Sequence, residues 1–183
     1  GVHLLHNAFA SRPFVSVGPH AEERGVGVDA RCDIDHAGAR AGVATRESDL
    51  VSDGILRHYL LGSYSARKLG QQSTGNAGGV FNLDVAANAG DLRELLRGMG
   101  NGLLVTELMG QGVNAITGDY SRGAAGFLIE NGEIAYPVDG ITIAANLREN
   151  NIAIEAIGSD VDRRSHVSVG SILVGRMTVA GGI

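Results

Sequence analysis

Apolar positions along this chain follow two rhythms. Between residues 91 and 99, Leu92, Leu95, Leu96 and Met99 recur at i, i+3, i+4 and i+7, which predicts one buried helix face. Asp91 stands where a side-chain oxygen caps the first turn, Glu94 follows three residues later, and Gly98 and Gly100 supply a stop. Most of the remainder reads as extended chain. Over 43–51, Val43, Thr45, Glu47, Asp49 and Val51 point to one side, and Ala44, Arg46, Ser48 and Leu50 to the other. Asp53-Gly54 separates this run from a second over 55–61, and Asn131-Gly132 separates 126–130 from 133–138. Each dipeptide is a hairpin signal, because a two-residue type I′ turn needs positive φ at both central residues. Further strands are predicted over 103–108, 141–143, 152–154, 167–169 and 177–179. A short helix is predicted over Ser63–Lys68, closed by Gly70, and one capped helical turn over 146–149. Strands grouped in hairpins, with helices that do not alternate with them, predict an α+β fold. It is β-rich, with largely antiparallel hairpin-connected strands and a few short helices.

Composition narrows the class. The 183 residues are the size of one ordinary domain, and we expect one over 1–183, although 1–41 carries no sustained rhythm. The formal net charge of -5 argues against nucleic acid as a main partner, since a phosphate backbone calls for a basic excess. One cysteine, Cys32, excludes an internal disulfide and a multi-cysteine zinc site, and fits a reducing compartment. No run reaches the ~18 apolar residues of a membrane helix, so no membrane partner is expected. The start shows no signal-peptide pattern and no methionine, so a fragment or processed product is expected. Glycine is unusual: there are 28, roughly twice the share that an average usage of about 7% would give. With aromatics at 4% and no tryptophan, this predicts many turns, close backbone contacts and a core of Val, Ile, Leu and Ala.

Familiar catalytic patterns are missing. No two histidines stand at the i, i+4 spacing that a zincin helix needs, and His20-Ala21-Glu22-Glu23 lacks the second histidine. His3 and His6 are three apart with no third ligand nearby. Arg31-Cys32-Asp33-Ile34-Asp35-His36 is the one ligand-rich cluster. If it is extended, Asp33 and Asp35 share a face with His36 opposite, which suits a polar surface strand or loop better than a metal. Ser73, Ser121 and Ser165 lack the nucleophile elbow, and adjacency of Ser165 and His166 does not place them in hydrogen-bond geometry. The glycines of 98–102 run from helix to strand, the reverse of a dinucleotide fingerprint, and 75–79 lacks a phosphate-loop lysine. One stretch, 106–123, is more polar than a core requires. Its glycines permit close approach of another backbone, as a surface for an added peptide strand would need.

Over that stretch the sequence Thr106-Glu107-Leu108-Met109-Gly110-Gln111-Gly112-Val113-Asn114, continuing Ile116-Thr117-Gly118-Asp119-Tyr120-Ser121-Arg122-Gly123, resembles the PmbA/TldD family. The branch it is most similar to is PmbA, also called TldE. The resemblance extends through Glu130-Asn131-Gly132-Glu133-Ile134, and upstream to Ser63-Tyr64-Ser65-Ala66-Arg67-Lys68 and Ser73-Thr74-Gly75-Asn76-Ala77-Gly78-Gly79. Asp160-Val161-Asp162-Arg163-Arg164 and Gly170-Ser171-Ile172-Leu173 carry it to the end, so that it covers roughly 42–183. The resemblance implies the C-terminal domain of a cytoplasmic two-subunit metallopeptidase, with the family's N-terminal half absent from this chain.

In that family the TldD-like subunit is implied to hold the zinc, through a His-Glu-x-x-x-His segment and a late cysteine. The PmbA-like subunit completes the chamber for unfolded or precursor peptides. The late cysteine has no counterpart in His166-Val167-Ser168-Val169-Gly170-Ser171, and segment 15–41 is longer than the resemblance leads us to expect. The expectations are therefore no metal, no cofactor and no catalytic residue in this chain, and no peptidase activity by it alone. Its partners are a TldD-like subunit or a second copy, and an unfolded peptide. Contacts to peptide or partner are expected from Thr106, Glu107, Gln111, Asn114, Asp119, Tyr120, Ser121 and Arg122. A stand-alone peptide-binding or scaffold module without a protease role is the alternative reading.

Overall fold

Asp53 and Gly54 have φ of 53° and 72°, and Asn131 and Gly132 have 52° and 78°. Both dipeptides thus form the positive-φ turns that their residue types favour, and each joins two antiparallel strands. The computed structural model describes residues 2–6, 29–33, 43–77, 79–80, 82–114, 116–164 and 166–182. They form β1 (Val2–His6), β2 (Ala30–Asp33), β3 (Ser48–Ser52), β4 (Ile55–Leu56), α1 (Ser63–Lys68), β5 (Asn82–Val85) and α2 (Leu92–Met99). Then follow β6 (Gly102–Met109), β7 (Asp119–Glu130), β8 (Glu133–Asn146), α3 (Leu147–Ile152), β9 (Ile154–Ile157), β10 (Val167–Ser168) and β11 (Ile172–Ala180). The fold is β-rich α+β, as expected, with two largely antiparallel sheets in two compact units.

The first unit carries a six-stranded sheet ordered β1-β6-β7-β8-β11-β9. Its pairing returns on itself. β11 meets β8 through Thr178–Ala180 and meets β1 through Ile172–Met177, so β1, β6, β7, β8 and β11 form a closed circuit. The two-residue period of a strand then assigns each side chain to a face. Leu103 and Val105 of β6 join Ala124, Val138, Ile141, Ile143 and Met177 in one cluster. Leu104, between them, faces the other way and meets Leu95 and Leu96 of α2, Ile129 and Leu173. Helix α2 forms where the stripe predicts, and the Asp91 carboxylate accepts from the Glu94 N–H at 3.0 Å.

The second unit carries a sheet ordered β10-β5-β2-β3-β4. Ala30 and Cys32 of β2 are buried, as are Leu50, Val51, Leu83 and Val85 on its neighbours. Only one face of the cluster around Cys32 is therefore polar. Cys32 points into the core, where burial pushes its thiol up, while exposed Arg31 pairs with Glu47 at 2.8 Å and Asp49 at 3.2 Å. Asp35 and His36 lie outside the described residues, as do His20 and Ser165.

Several predicted boundaries move. The run over 43–51 is a strand only from Ser48, where the ladder to β2 begins with Cys32 opposite Ser48. Beyond β4, the run over 55–61 leaves the ladder, and the Leu61 N–H instead donates to the Thr74 hydroxyl at 2.8 Å. Residues 133–138 and 141–143 fuse into the single strand β8. Gly140, with φ of 65°, absorbs an irregularity in register between Ala124–Ile141 and Gly126–Val138, so the glycine bulges the strand and does not end it. The expected strand over 152–154 starts late. Asn146 caps α3 by accepting from the Arg148 N–H at 3.0 Å, the helix runs to Ile152, and β9 begins at Ile154.

Candidate functional site

At one end of the strand circuit, β6 outruns its parallel neighbour. The pairing of β1 with β6 stops at His6 opposite Val105, whereas β7 stays paired to β6 as far as Met109 opposite Gly123. Residues 106–109 therefore have a strand on one side only, among the described residues. A register shift between Val105 and Glu107 bends the strand at this point, and the Thr106 hydroxyl reaches the Ala125 carbonyl at 3.4 Å. Glu107 is exposed and Leu108 turns inward onto the core of the circuit.

The connection over 110–118 is built from hydrogen bonds. The Asn114 side-chain oxygen accepts from the N–H groups of Ile116 at 3.0 Å and Thr117 at 3.3 Å, and the Gly118 N–H returns to the Asn114 carbonyl at 2.8 Å. The Thr117 hydroxyl donates to the Asp119 carboxylate at 2.7 Å, and Asn146 donates to the Thr117 carbonyl at 3.1 Å. The Ser121 N–H donates to the Gly112 carbonyl at 2.7 Å, and a Cβ on Gly112 would run into the Ser121 carbonyl oxygen, so only glycine permits this approach. On this well-anchored loop, Ile116 is 96% exposed. Gln111 is exposed as well.

The eight residues put forward from the sequence thus fall into three groups. Asn114 and Asp119 use their side chains to shape the connection. Glu107, Gln111 and Ser121 face solvent. Thr106, Tyr120 and Arg122 are partly buried, and the last two share the inward face of β7. Burial pushes the Tyr120 phenol up, while the charge of Arg122 and a hydrogen bond with it pull the other way. Arg122 donates from Nη2 to the Leu108 carbonyl at 3.3 Å, its Nε is buried without a partner, and it makes no ion pair among the described residues.

A second polar feature escaped sequence reasoning. Asp160 accepts from the Ser171 N–H at 3.1 Å and from its hydroxyl at 2.6 Å, and Ser171 is 0% exposed. A short polar residue buried between irregular segments has no periodic signature. The carboxylate ties the segment at residue 160 to the start of β11 by holding both the N–H and the hydroxyl of Ser171. Among the described residues no three His, Cys, Asp or Glu side chains gather as metal ligands, and no helix is long and apolar enough to cross a membrane.

Comparison with known proteins identifies the family and the fold. Residues 28–181 match the family model of the PmbA/TldA metallopeptidase C-terminal domain. The chain is 56% identical over 140 residues to the metalloprotease PmbA of Escherichia coli O157:H7, covering 76% of this chain and 31% of that protein. It is 53% identical over 141 residues to a PmbA homolog of Haemophilus influenzae, again covering 76% of this chain and 31% of that protein. It spans about a third of the length of these curated relatives. Among solved structures, a Thermotoga maritima protein described as a candidate modulator of a DNA gyrase superposes with a TM-score of 0.82 at 29% identity, covering 98% of this chain and 49% of that one. TldE from Thermococcus kodakarensis superposes with a TM-score of 0.76 at 20% identity, covering 98% and 50%, and so shares the fold.

Proposed function

Because the chain belongs to the PmbA/TldD metallopeptidase family, as its C-terminal domain, we propose that it is the chamber-lining part of a PmbA-like subunit that handles unfolded or precursor peptides in the cytoplasm. The observation that carries this reading is the end of β6. Among the described residues, 106–109 are paired on one side only, and an extended peptide can join such a segment through main-chain hydrogen bonds. Those bonds ignore side-chain identity, which suits an enzyme that takes many sequences. The anchored loop beside it, with Ile116 projecting, gives the surface that meets a TldD-like subunit.

Zinc does not fit this chain's own described residues, which gather no ligand set. In this reading the metal, and the activation of water for hydrolysis, belong to the TldD-like subunit. The chain's contribution is to hold and align the peptide, and alignment alone is worth orders of magnitude in rate. The test is recovery of the tagged protein from its native host. The reading expects a zinc-bearing TldD-like partner to come with it, and the pair to cleave an unfolded peptide that this chain alone leaves intact. Recovery without such a partner, with peptide binding retained, would instead make the chain a stand-alone binding module.

A further inference from the structure

The guanidinium of Arg122 stands in an unusual place for a cation. Register sets Arg122 opposite Ile143, which is 1% exposed, and Tyr120 opposite Ala145, so both side chains lie on the face that carries the core of the circuit. Burying part of a charged group against apolar side chains is unfavourable unless its donors are met. Here one donor reaches the Leu108 carbonyl at 3.3 Å, which is long, the Tyr120 hydroxyl is a second neighbour, and the buried Nε has no partner among the described residues. Native structures leave few buried donors unmet, and each exception calls for a specific reason. The position gives one. The bond to Leu108 puts the guanidinium at the end of β6, beside the segment that, among the described residues, has a strand on one side only.

We infer that Arg122, with the Tyr120 hydroxyl beside it, binds a carboxylate of the peptide laid along 106–109. Arginine suits the task, because its planar fork matches two carboxylate oxygens and stays charged at every working pH. The carboxylate has two possible sources, a free peptide C-terminus or an acidic side chain, and the chemistry at Arg122 is the same for both. The inference rests on the peptide-binding reading above, and its test separates the two.

Three fluorescent decapeptides, unstructured and otherwise uncharged, would be titrated against this chain by anisotropy. The first ends in a free carboxylate, the second in an amide, and the third in an amide with one aspartate inside. The first should bind about tenfold to a hundredfold tighter than the second, the range expected of a hydrogen-bonded charge pair. Affinity regained by the third assigns acidic side chains as ligands too; no regain restricts the site to the C-terminus. Arg122→Gln should abolish the preference, so that the first and second peptides bind this variant equally, and Arg122→Lys should keep part of it, with melting curves confirming that both fold. If Arg122→Gln fails to fold, the wild-type comparison and Arg122→Lys still decide. Equal binding of all three peptides, or a preference that survives Arg122→Gln, overturns the assignment but leaves peptide binding standing. If no peptide binds at all, the peptide reading falls with it.

Discussion

Strands β7 and β8 run side by side for most of their length, yet their two ends are built on opposite terms. At the Asn131-Gly132 end the turn is held against its surroundings. The Asn131 N–H donates to the Asn101 side chain at 3.0 Å, the Gly132 N–H to the Gly100 carbonyl at 2.6 Å, and α2 covers Leu104 and Ile129 nearby. At the other end the described residues of the connection over 110–118 are also hydrogen-bonded to one another, but the connection shows solvent an isoleucine, and on β7 beside it the buried Arg122 Nε has no partner among the described residues. An exposed isoleucine and an unmet buried donor add nothing to stability. The contrast sets a packed end against the end proposed to meet peptide or partner within one pair of strands, and it can be broken or sharpened by substitution.

The largest effect should come from the scaffold end. Leu104 is 3% exposed and packs beneath α2, so Leu104→Ala should cost about 2–5 kcal/mol in urea unfolding, through lost burial and the cavity left behind. A cost near zero would mean that α2 is not seated on this sheet. Gly132→Val should cost on the order of 1–3 kcal/mol, because a β-branched residue is strained at φ of 78° and its Cβ would stand 2.8 Å from the Arg97 Cα. An unchanged melting temperature would remove this turn from the scaffold.

The smallest effect is one of pH. Burial raises the Tyr120 phenol in the folded chain above its ordinary value of about 10. The unfolded chain therefore loses that proton first as pH rises, so stability tied to Tyr120 is complete below about pH 10 and declines above it. Tyr120→Phe should flatten the stability curve above that pH and leave the curve near neutrality almost parallel to wild type. A wild-type curve with no decline above pH 10 would contradict the burial of this hydroxyl.

Much of the scaffold end was legible in the sequence. Asn-Gly and Asp-Gly admit few alternatives to a tight turn, and the stripe of Leu92, Leu95, Leu96 and Met99 behind Asp91 fixed both the face and the start of α2. The closure of the circuit was not legible, because β1 pairs with residues about a hundred and more positions away and no local pattern records it. Gly140 misled for a related reason: a glycine between two apolar runs reads as a break, and only its partner strand shows that it is a bulge. At the other end, polarity and glycine content marked out the stretch 106–123 but did not show which of its side chains are exposed, buried or spent on the turn. Asn114 and Asp119 look like contact residues in a string of letters, and the fold gives their side chains to the turn. The position of Arg122 on the inward face depends on the register of β7 against β8, which no spacing in the sequence reveals.

The contrast between the two ends is most directly tested with side chains that hold nothing in place. Glu107, Gln111 and Ile116 are exposed, and Ile116 contributes only its backbone to the loop. The full-length protein carrying Glu107→Ala, Gln111→Ala and Ile116→Ser would be assayed with the proposed TldD-like subunit for pairing and for cleavage of an unfolded peptide, beside a melting curve. The account predicts a melting temperature near that of the wild type, since exposed substitutions of this kind change stability by about 0.5 kcal/mol or less each, together with pairing or cleavage reduced at least about tenfold. Normal pairing and normal cleavage with an unchanged melting temperature would show that this end, too, is only scaffold.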